Sequence, residues 1–361
     1  MITKFWLKYF RNITEITVDL KENKHCYIFG DNNQGKTSIL EAIFVASKQK
    51  TLGDNQISEL IQNSQAGAYI GLQIEKDIKQ RLYVKCDRTG KVVSTLDNKK
   101  ENKKQAKNRN MEYISADAIH IFQKEPLFRR KILDQFCIKL TYGYEEKLRS
   151  YEKLLRQKNK YLKAEKVDEN LILTLNIQLA RLAKEIVSTR LKAISLIEKE
   201  LNKKTTLKDR LFVEIVSINY KINRLAVDDM CVYEDVLLKT MEEDKQKERI
   251  LGYSLSGPQR DDFEILLEEK SIFSYYSRGI NRCYAILFRL AQIQILTEQN
   301  SYTCLLLDDT FAEIDQVNKK YLLKEISSRY QVFYATTSRN DFDFFNETCL
   351  INIKNGKIEY V

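Results

Sequence analysis

Apolar positions along this chain fall into three textures. In residues 1 to about 110 they come as short clusters and alternations: Phe5-Trp6-Leu7, Ile16-Thr17-Val18, Cys26-Tyr27-Ile28-Phe29, Tyr69 to Ile74 and Arg81 to Val84. Clusters and period-two alternation of this length predict strands. The polar tract from Asp97 to Lys104 predicts an exposed hairpin tip or loop. Between Leu127 and Met241 proline is absent, glycine is scarce, and the spacing becomes helical. Leu148, Tyr151, Leu155 and Leu162 share one stripe; Leu175, Leu179, Leu182, Ile186, Ala193 and Ile197 share another. Folded back on itself, this region reaches only about 80–90 Å at 1.5 Å per residue, which predicts a compact lobe rather than a long rod. After Leu251 strand-like runs return at Phe263 to Leu267, Cys304 to Leu307 and Val332 to Ala335. The pattern predicts an α/β domain in two halves, residues 1–126 and 251–361, with a helical lobe, residues 127–250, inserted between them.

The junction after Phe29 carries the chemistry. Gly30 to Thr37 read G-D-N-N-Q-G-K-T, which fits G-x-x-x-x-G-K-[ST]. A strand-like run precedes it, and Ser38 to Phe44 follow with helical spacing. Gly30, Asp31, Asn32, Asn33, Gln34, Gly35, Lys36, Thr37 and Ser38 are therefore expected to wrap the phosphates of ATP. Backbone N–H groups and a helix N-terminus supply the positive end of the dipole. Lys36 is expected at the β- and γ-phosphates and Thr37 on Mg²⁺. The acidic end of the run Leu305-Leu306-Leu307-Asp308-Asp309 supplies the complementary carboxylates. Asp308 is expected to hold Mg²⁺, and Asp309 to orient or deprotonate the attacking water.

A third element sets the class. Tyr276 to Arg282 read Y-S-R-G-I-N-R before a helical run. Ser277 to Asn281 resemble, in degenerate form, the S-G-G-Q signature of ABC-type ATPases, with Ser277 and Gly279 forming a second anion site at a helix start. In that class the segment meets the γ-phosphate held by the other protomer. One loop and one signature per chain then imply an ATP-dependent head-to-tail homodimer. Phe311 to Asp315 resemble the D-loop that follows, with Asp315 facing the opposing protomer. ABC transporters usually place histidine at the switch position after Val332 to Ala335. This chain has Thr336 and Thr337 there, and its two histidines are His25 and His120.

Charge adds a partner class. The formal net charge is +10. From Lys76 to Asn110 there are 12 Lys/Arg against 4 Asp/Glu, and from Arg129 to Lys166 there are 12 against 5, so the remainder is slightly acidic. Segregation of this kind fits a nucleic-acid face, driven by phosphate neutralisation. No run of about 18 apolar residues marks a membrane span. The first eleven residues carry Lys4, Lys8 and Arg11 among aromatics, unlike a signal peptide. Seven scattered cysteines without a C-x-x-C pair predict a reduced, cytoplasmic protein without structural zinc.

Together the motifs resemble the RecF family of DNA-repair ATPases over nearly the full length. Phe10-Arg11-Asn12 resembles that family's F-R-N, and Gly30 to Glu41 its G-x-N-x-Q-G-K-T-x-x-L-E. Phe128 to Asp134 resembles R-R-x-x-L-D, Arg156 to Asn159 resembles Q-R-N, and Gly257 to Asp262 resembles G-P-H-R-D-D with Gln259 in the histidine position. Tyr276 to Arg282 resembles S-Q-G-Q-Q-R, departing at Arg278, Ile280 and Asn281, and Leu306 to Asp315 resembles L-L-D-D-x-x-x-x-L-D. The resemblance implies an ABC-type ATPase head, a P-loop NTPase of mixed sheet and helices. It implies a cytoplasmic protein, on the nucleoid when DNA-bound, that serves recombinational DNA repair, replication-gap repair and the SOS response. It further implies binding to gapped duplex or single-strand/double-strand junctions, slow ATP hydrolysis, and action with RecO and RecR to load RecA. Arg11 and Asn12 are implied near the nucleotide. Two other readings predict different observations: an SMC-like chromosome-maintenance ATPase predicts a long rod, and a transporter ATPase subunit predicts a membrane permease partner.

Overall fold

The computed structural model describes residues 1–21, 23–53, 55–75, 78–102, 109, 111–116, 125–164, 168–203, 215–225, 229–297, 304–339 and 347–360. His120, Lys76, Lys103, Lys104, Lys107 and Lys166, named above as a histidine or within the basic segments, lie outside them. The chain forms two compact units, Met1–Ile119 with Thr297–Val361, and His120–Leu296.

The strands in chain order are β1 (Ile2–Phe10), β2 (Ile13–Asp19), β3 (His25–Phe29), β4 (Gly67–Glu75), β5 (Lys79–Asp87), β6 (Val92–Leu96), β7 (Lys99–Lys100) and β8 (Met111–Ser115). They continue with β9 (Val216–Lys221), β10 (Asp262–Leu267), β11 (Lys270–Ser271), β12 (Cys304–Asp308), β13 (Gln331–Thr336), β14 (Thr348–Lys354) and β15 (Lys357–Tyr360). The α-helices are α1 (Lys36–Lys48), α2 (Pro126–Leu140), α3 (Tyr144–Leu162), α4 (Glu169–Lys203), α5 (Tyr233–Glu243), α6 (Lys245–Leu251), α7 (Ile272–Tyr275), α8 (Arg278–Thr297) and α9 (Gln316–Arg329).

The first unit stacks two sheets on α1. One sheet is antiparallel, in order β2-β1-β4-β5-β6-β7. The other runs β15-β14-β3-β13-β12-β8 and is parallel from β14 to β8. Strands covered on both faces read as continuous apolar runs. Tyr27, Ile28, Leu305, Leu306, Val332 and Phe333 are accordingly fully buried. Helix α1 touches strands of both sheets. That explains why it is apolar on nearly every face instead of along one stripe; Ile39, Leu40, Ala42, Ile43 and Val45 are all inaccessible.

The second unit is built on α4, whose 35 residues span about 52 Å at 1.5 Å per residue. Leu175, Leu179, Ala183, Ile186, Ala193 and Ile197 form its buried stripe. After a six-residue connection from α3, α4 packs against α3. An antiparallel sheet, β11-β10-β9, packs through β9 on α4 and through β10 on α2. Two features differ from the sequence reading. The region expected to form a helical lobe also contains a strand, β9, because Val216-Ser-Ile-Asn-Tyr-Lys221 alternates with period two. And the compact units divide before residue 297 instead of near 251, because β10 pairs with β9 along six residues and Phe263 stacks on Phe288 of α8. No described helix is long and apolar enough to cross a membrane.

Candidate functional site

The loop Gly30–Gly35 connects the end of buried β3 to the start of α1. Its glycines are fixed by close approach. A Cβ on Gly30 would stand 2.4 Å from the Ile353 carbonyl oxygen. One on Gly35 (φ +117°) would meet the Asn12 side-chain amide at 3.1–3.2 Å. Asn12 ties the loop from outside: its Nδ2 donates to the Asn33 carbonyl at 3.3 Å, and its Oδ1 accepts from Ser38 Oγ at 2.9 Å. Arg11 pairs with Glu41 of α1 at 2.6 Å, and Glu41 is only 1% exposed. Arg11 and Asn12 thus brace the loop and its helix, a positioning arrangement for the F-R-N residues.

Lys36 folds back over the loop, its Nζ donating to the carbonyls of Gly30 and Asp31 at 2.8 Å each. Burial lowers its pKa, and the nearby carboxylates Asp309, Asp308 and Asp31 oppose that shift. Thr37 Oγ1 donates to Asp308 Oδ2 at 2.9 Å, so the loop and the acidic strand end are joined directly. The Tyr113 hydroxyl donates to the same oxygen at 2.8 Å. Burial raises the Asp308 pKa, and the bonds from Tyr113 and Thr37 work against it. Asp309 follows in the left-handed region (φ 45°), its N–H bonded to the Ala335 carbonyl at 2.9 Å. Aspartate tolerates that conformation better than most residues.

A hydroxyl and a carboxylate oxygen within hydrogen-bond distance suit a hard cation. No cluster of three or more His, Cys, Asp or Glu that could cage a metal occurs among the described residues. Mg²⁺ needs only one or two protein oxygens and completes its shell with phosphate and water. Thr37 and Asp308 are the residues that could hold it.

The remaining expected site residues lie elsewhere. Ser277 and Gly279 belong to the second unit, at the start of α8. Ser277 is exposed, and its Oγ accepts from the Ile280 N–H at 3.4 Å. Asn281, where the signature departs from its pattern, is 4% exposed and donates back to the carbonyls of Tyr276 and Ser277 at 3.2 and 3.1 Å. Asp315 caps α9, accepting from the Asn318 backbone at 3.0 Å and from its side chain at 2.5 Å. At the switch position Thr336 accepts from the Ser338 N–H at 3.2 Å, and His25 is buried inside β3.

Two further contacts at the loop come from residues outside any motif. Tyr113 comes from β8, whose Met-Glu-Tyr-Ile-Ser carries too little pattern to stand out. The β14–β15 turn clasps the loop: Asn355 N–H donates to Gln34 Oε1 at 2.6 Å, and Gly356 N–H to the Gln34 carbonyl at 3.1 Å. Asn355 and Gly356 both have positive φ (50° and 71°), as a two-residue Asn-Gly hairpin requires. That dipeptide between apolar runs was the available signal.

A parallel-centred sheet, a phosphate loop bonded to an acidic strand end, and an antiparallel sheet on the other side of α1 define the head of an ABC/SMC-like ATPase. The model of the RecF/RecN/SMC N terminal domain family matches residues 1–359. A Clostridium beijerinckii DNA replication and repair protein RecF is 30% identical, covering 97% of this chain and 95% of its own. The Limosilactobacillus reuteri protein of the same name is 30% identical, with 99% and 98% covered. The chain belongs to this family, and within it to RecF. A solved structure of the recombination mediator protein RecF-ATPrS in the RecFOR pathway superposes with a TM-score of 0.79 at 24% identity, covering 100% of this chain and 98% of that one. The Pyrococcus furiosus Smc head shares the fold at a TM-score of 0.53 and 16% identity, covering 100% and 95%.

Proposed function

We propose that this chain is an ATP-dependent DNA-binding protein of recombinational repair, in which nucleotide turnover acts as a conformational switch. The observation that carries the reading is the Thr37–Asp308 hydrogen bond, because it joins phosphate loop and acidic strand into one prepared site. In this reading Gly30 to Ser38 bind the ATP phosphates through backbone N–H groups. Lys36 exchanges its two loop carbonyls for phosphate oxygens. Thr37 and Asp308 would hold Mg²⁺, which would supply charge neutralisation to the bound phosphates. Asp309 orients the attacking water and accepts its proton. Two chains close on ATP, each offering Ser277 and Gly279 to the other's γ-phosphate, with Asp315 near the seam. Hydrolysis is slow and opens the pair. The DNA partner is a gapped duplex or a single-strand/double-strand junction, met by basic surface. RecO, RecR and the loading of RecA come from the family, as do the cytoplasmic location, the association with the nucleoid and the place in the SOS response.

Sedimentation with and without ATP and a gapped duplex tests the reading. The intact chain should shift from one copy to two with ATP and then carry DNA. Lys36→Ala should lose nucleotide affinity and both shifts. A one-copy complex with ATP and DNA together would overturn the switch.

A further inference from the structure

The antiparallel sheet of the first unit turns one face to the core and one to solvent. Phe5, Leu7, Ile70, Leu72, Leu82 and Val84 take the core face. Period-two alternation sends their neighbours outward. The outward residues line up in rows across the strands. Trp6, Gly71 and Tyr83 are register partners in the central row. On one side runs Lys8–Tyr69–Lys85, and on the other Lys4–Gln73–Arg81. An aromatic row is thus flanked by cations.

The chain's one tryptophan lies in the middle of this face. A Cβ on Gly71 would fall 1.9 Å from Trp6 Nε1 and 2.3 Å from Cε2, so the indole lies over the glycine rather than standing off the sheet. Tyr83, 37% exposed, adjoins it with ring centroids 6.1 Å apart and planes at 49°. The depression bordered by Trp6, Tyr83, Lys4, Gln73 and Arg81 has a volume of about 190 Å³. That is below the usual range for whole small-molecule ligands and fits a single flat group. Lys85 Nζ lies 5.7 Å from the Tyr69 ring centroid. The acids opposite Lys4 and Lys8, Asp19 and Glu15, stand on the edge strand β2, at 3.9 and 3.3 Å from those lysines.

We propose that this face is a stacking platform for the unpaired bases of single-stranded DNA. Trp6 and Tyr83 receive base faces, and the flanking lysines and Arg81 run beside the phosphates. A sequence-tolerant single-strand site needs both parts, and duplex DNA hides the base faces that the aromatic row would meet. The inference deepens the DNA-binding reading above and rests on it: it names the surface that meets the unpaired strand. It also separates two roles within the basic N-terminal region, since Arg81 and Lys85 flank the aromatics, whereas Arg88 is tied to the carbonyls of Gln62 and Gln65.

Trp6 is its own reporter. The intact chain is titrated with a dT 15-mer, an abasic 15-mer and a 15-bp duplex, while binding is followed by anisotropy of a label on the DNA and stacking by tryptophan emission. The dT strand should quench Trp6 saturably, and the abasic strand and duplex should bind, if at all, without quenching. Tyr83→Ala should weaken dT binding by about fivefold or more, the scale of one lost stacking contact, and leave duplex affinity unchanged. Arg81→Ala should weaken dT and abasic strands alike and reduce the salt dependence of binding. Binding of dT with unchanged Trp6 emission, or equal loss for every probe in Tyr83→Ala, overturns the platform and leaves the DNA reading standing. A gapped duplex with ATP is run beside them: its binding without binding of the dT strand overturns the platform and leaves the DNA reading standing, and no binding of any of the four removes both.

Discussion

Under the proposed function, single residues at this site carry separable duties. Asp309 sits one position beyond the carboxylate that Thr37 touches, in a left-handed conformation closed by its N–H bond to Ala335. Asparagine also adopts that conformation readily, so Asp309→Asn should keep the fold and the nucleotide affinity. It removes the proposed proton acceptor, and turnover should fall by about 10²–10⁴-fold; phosphate release measured beside equilibrium nucleotide binding separates the two, and unchanged turnover would exclude the role. His25 shows a different economy. It is buried on β3, with Nδ1 accepting from the Val332 N–H at 3.3 Å. Burial first, then the Lys24 charge, lowers its pKa to about 4. The unfolded chain, with a histidine near 6.5, therefore binds more protons between those values. Stability should be full above pH 6.5 and decline as pH falls toward 4. Between pH 7 and 5 the loss should be on the order of 1 kcal/mol after allowance for solvent screening. His25→Asn keeps an acceptor for Val332 and should flatten that part of the profile, read from urea midpoints at the two pH values.

Elements are held by buried polar contacts as much as by apolar faces. In the second unit α3 is bolted to α6 and the turn after it by Lys158, whose Nζ lies 2.6 Å from Glu248 with both side chains at most 2% exposed. Ser254 joins the pair, accepting from Lys158 at 3.2 Å and donating to Glu248 at 2.9 Å. Burial lowers the Lys158 pKa, and Glu248 works against that shift. Removing one partner leaves a buried charge unpaired. Lys158→Met should therefore cost about 3–5 kcal/mol by chemical denaturation, and the double variant Lys158→Met with Glu248→Gln should recover much of it. Equal loss in the single and double variants would show that packing, not charge, sets the cost. Contacts of this kind explain what was legible in the sequence. The strand–loop–helix from Cys26 to Phe44 and the run ending at Asp308 combine a composition with a period, so both were readable. Lys158 and Glu248 lie 90 residues apart and look like two ordinary surface charges. Strand β9 was obscured by its short length inside a helical stretch, although its alternation was present. The Asn355-Gly356 turn was readable as a hairpin, but its grip on Gln34 depends on β14 lying beside β3.

At the scale of the molecule, the phosphate loop and the proposed second anion site sit in different compact units. The phosphate loop belongs to the first, and Ser277, opening α8, to the second. Ser277 is exposed, and its hydroxyl caps its own helix weakly, at 3.4 Å to the Ile280 N–H. The side chain is thus free of any burial that would make substitution costly to the fold. Asn281 is turned inward to the backbone of Tyr276 and Ser277, so under the proposed function the anion contact at this tip falls to Ser277 and Gly279. If ATP is completed by a second copy, a bulky cation at position 277 obstructs closure without touching the loop of its own chain. Ser277→Arg should therefore retain nucleotide affinity close to that of the parent and lose ATP-dependent dimerisation in sedimentation, with turnover falling to the level of an isolated chain. An ATP dimer that survives the substitution would exclude a shared site and leave each copy to complete its own pocket.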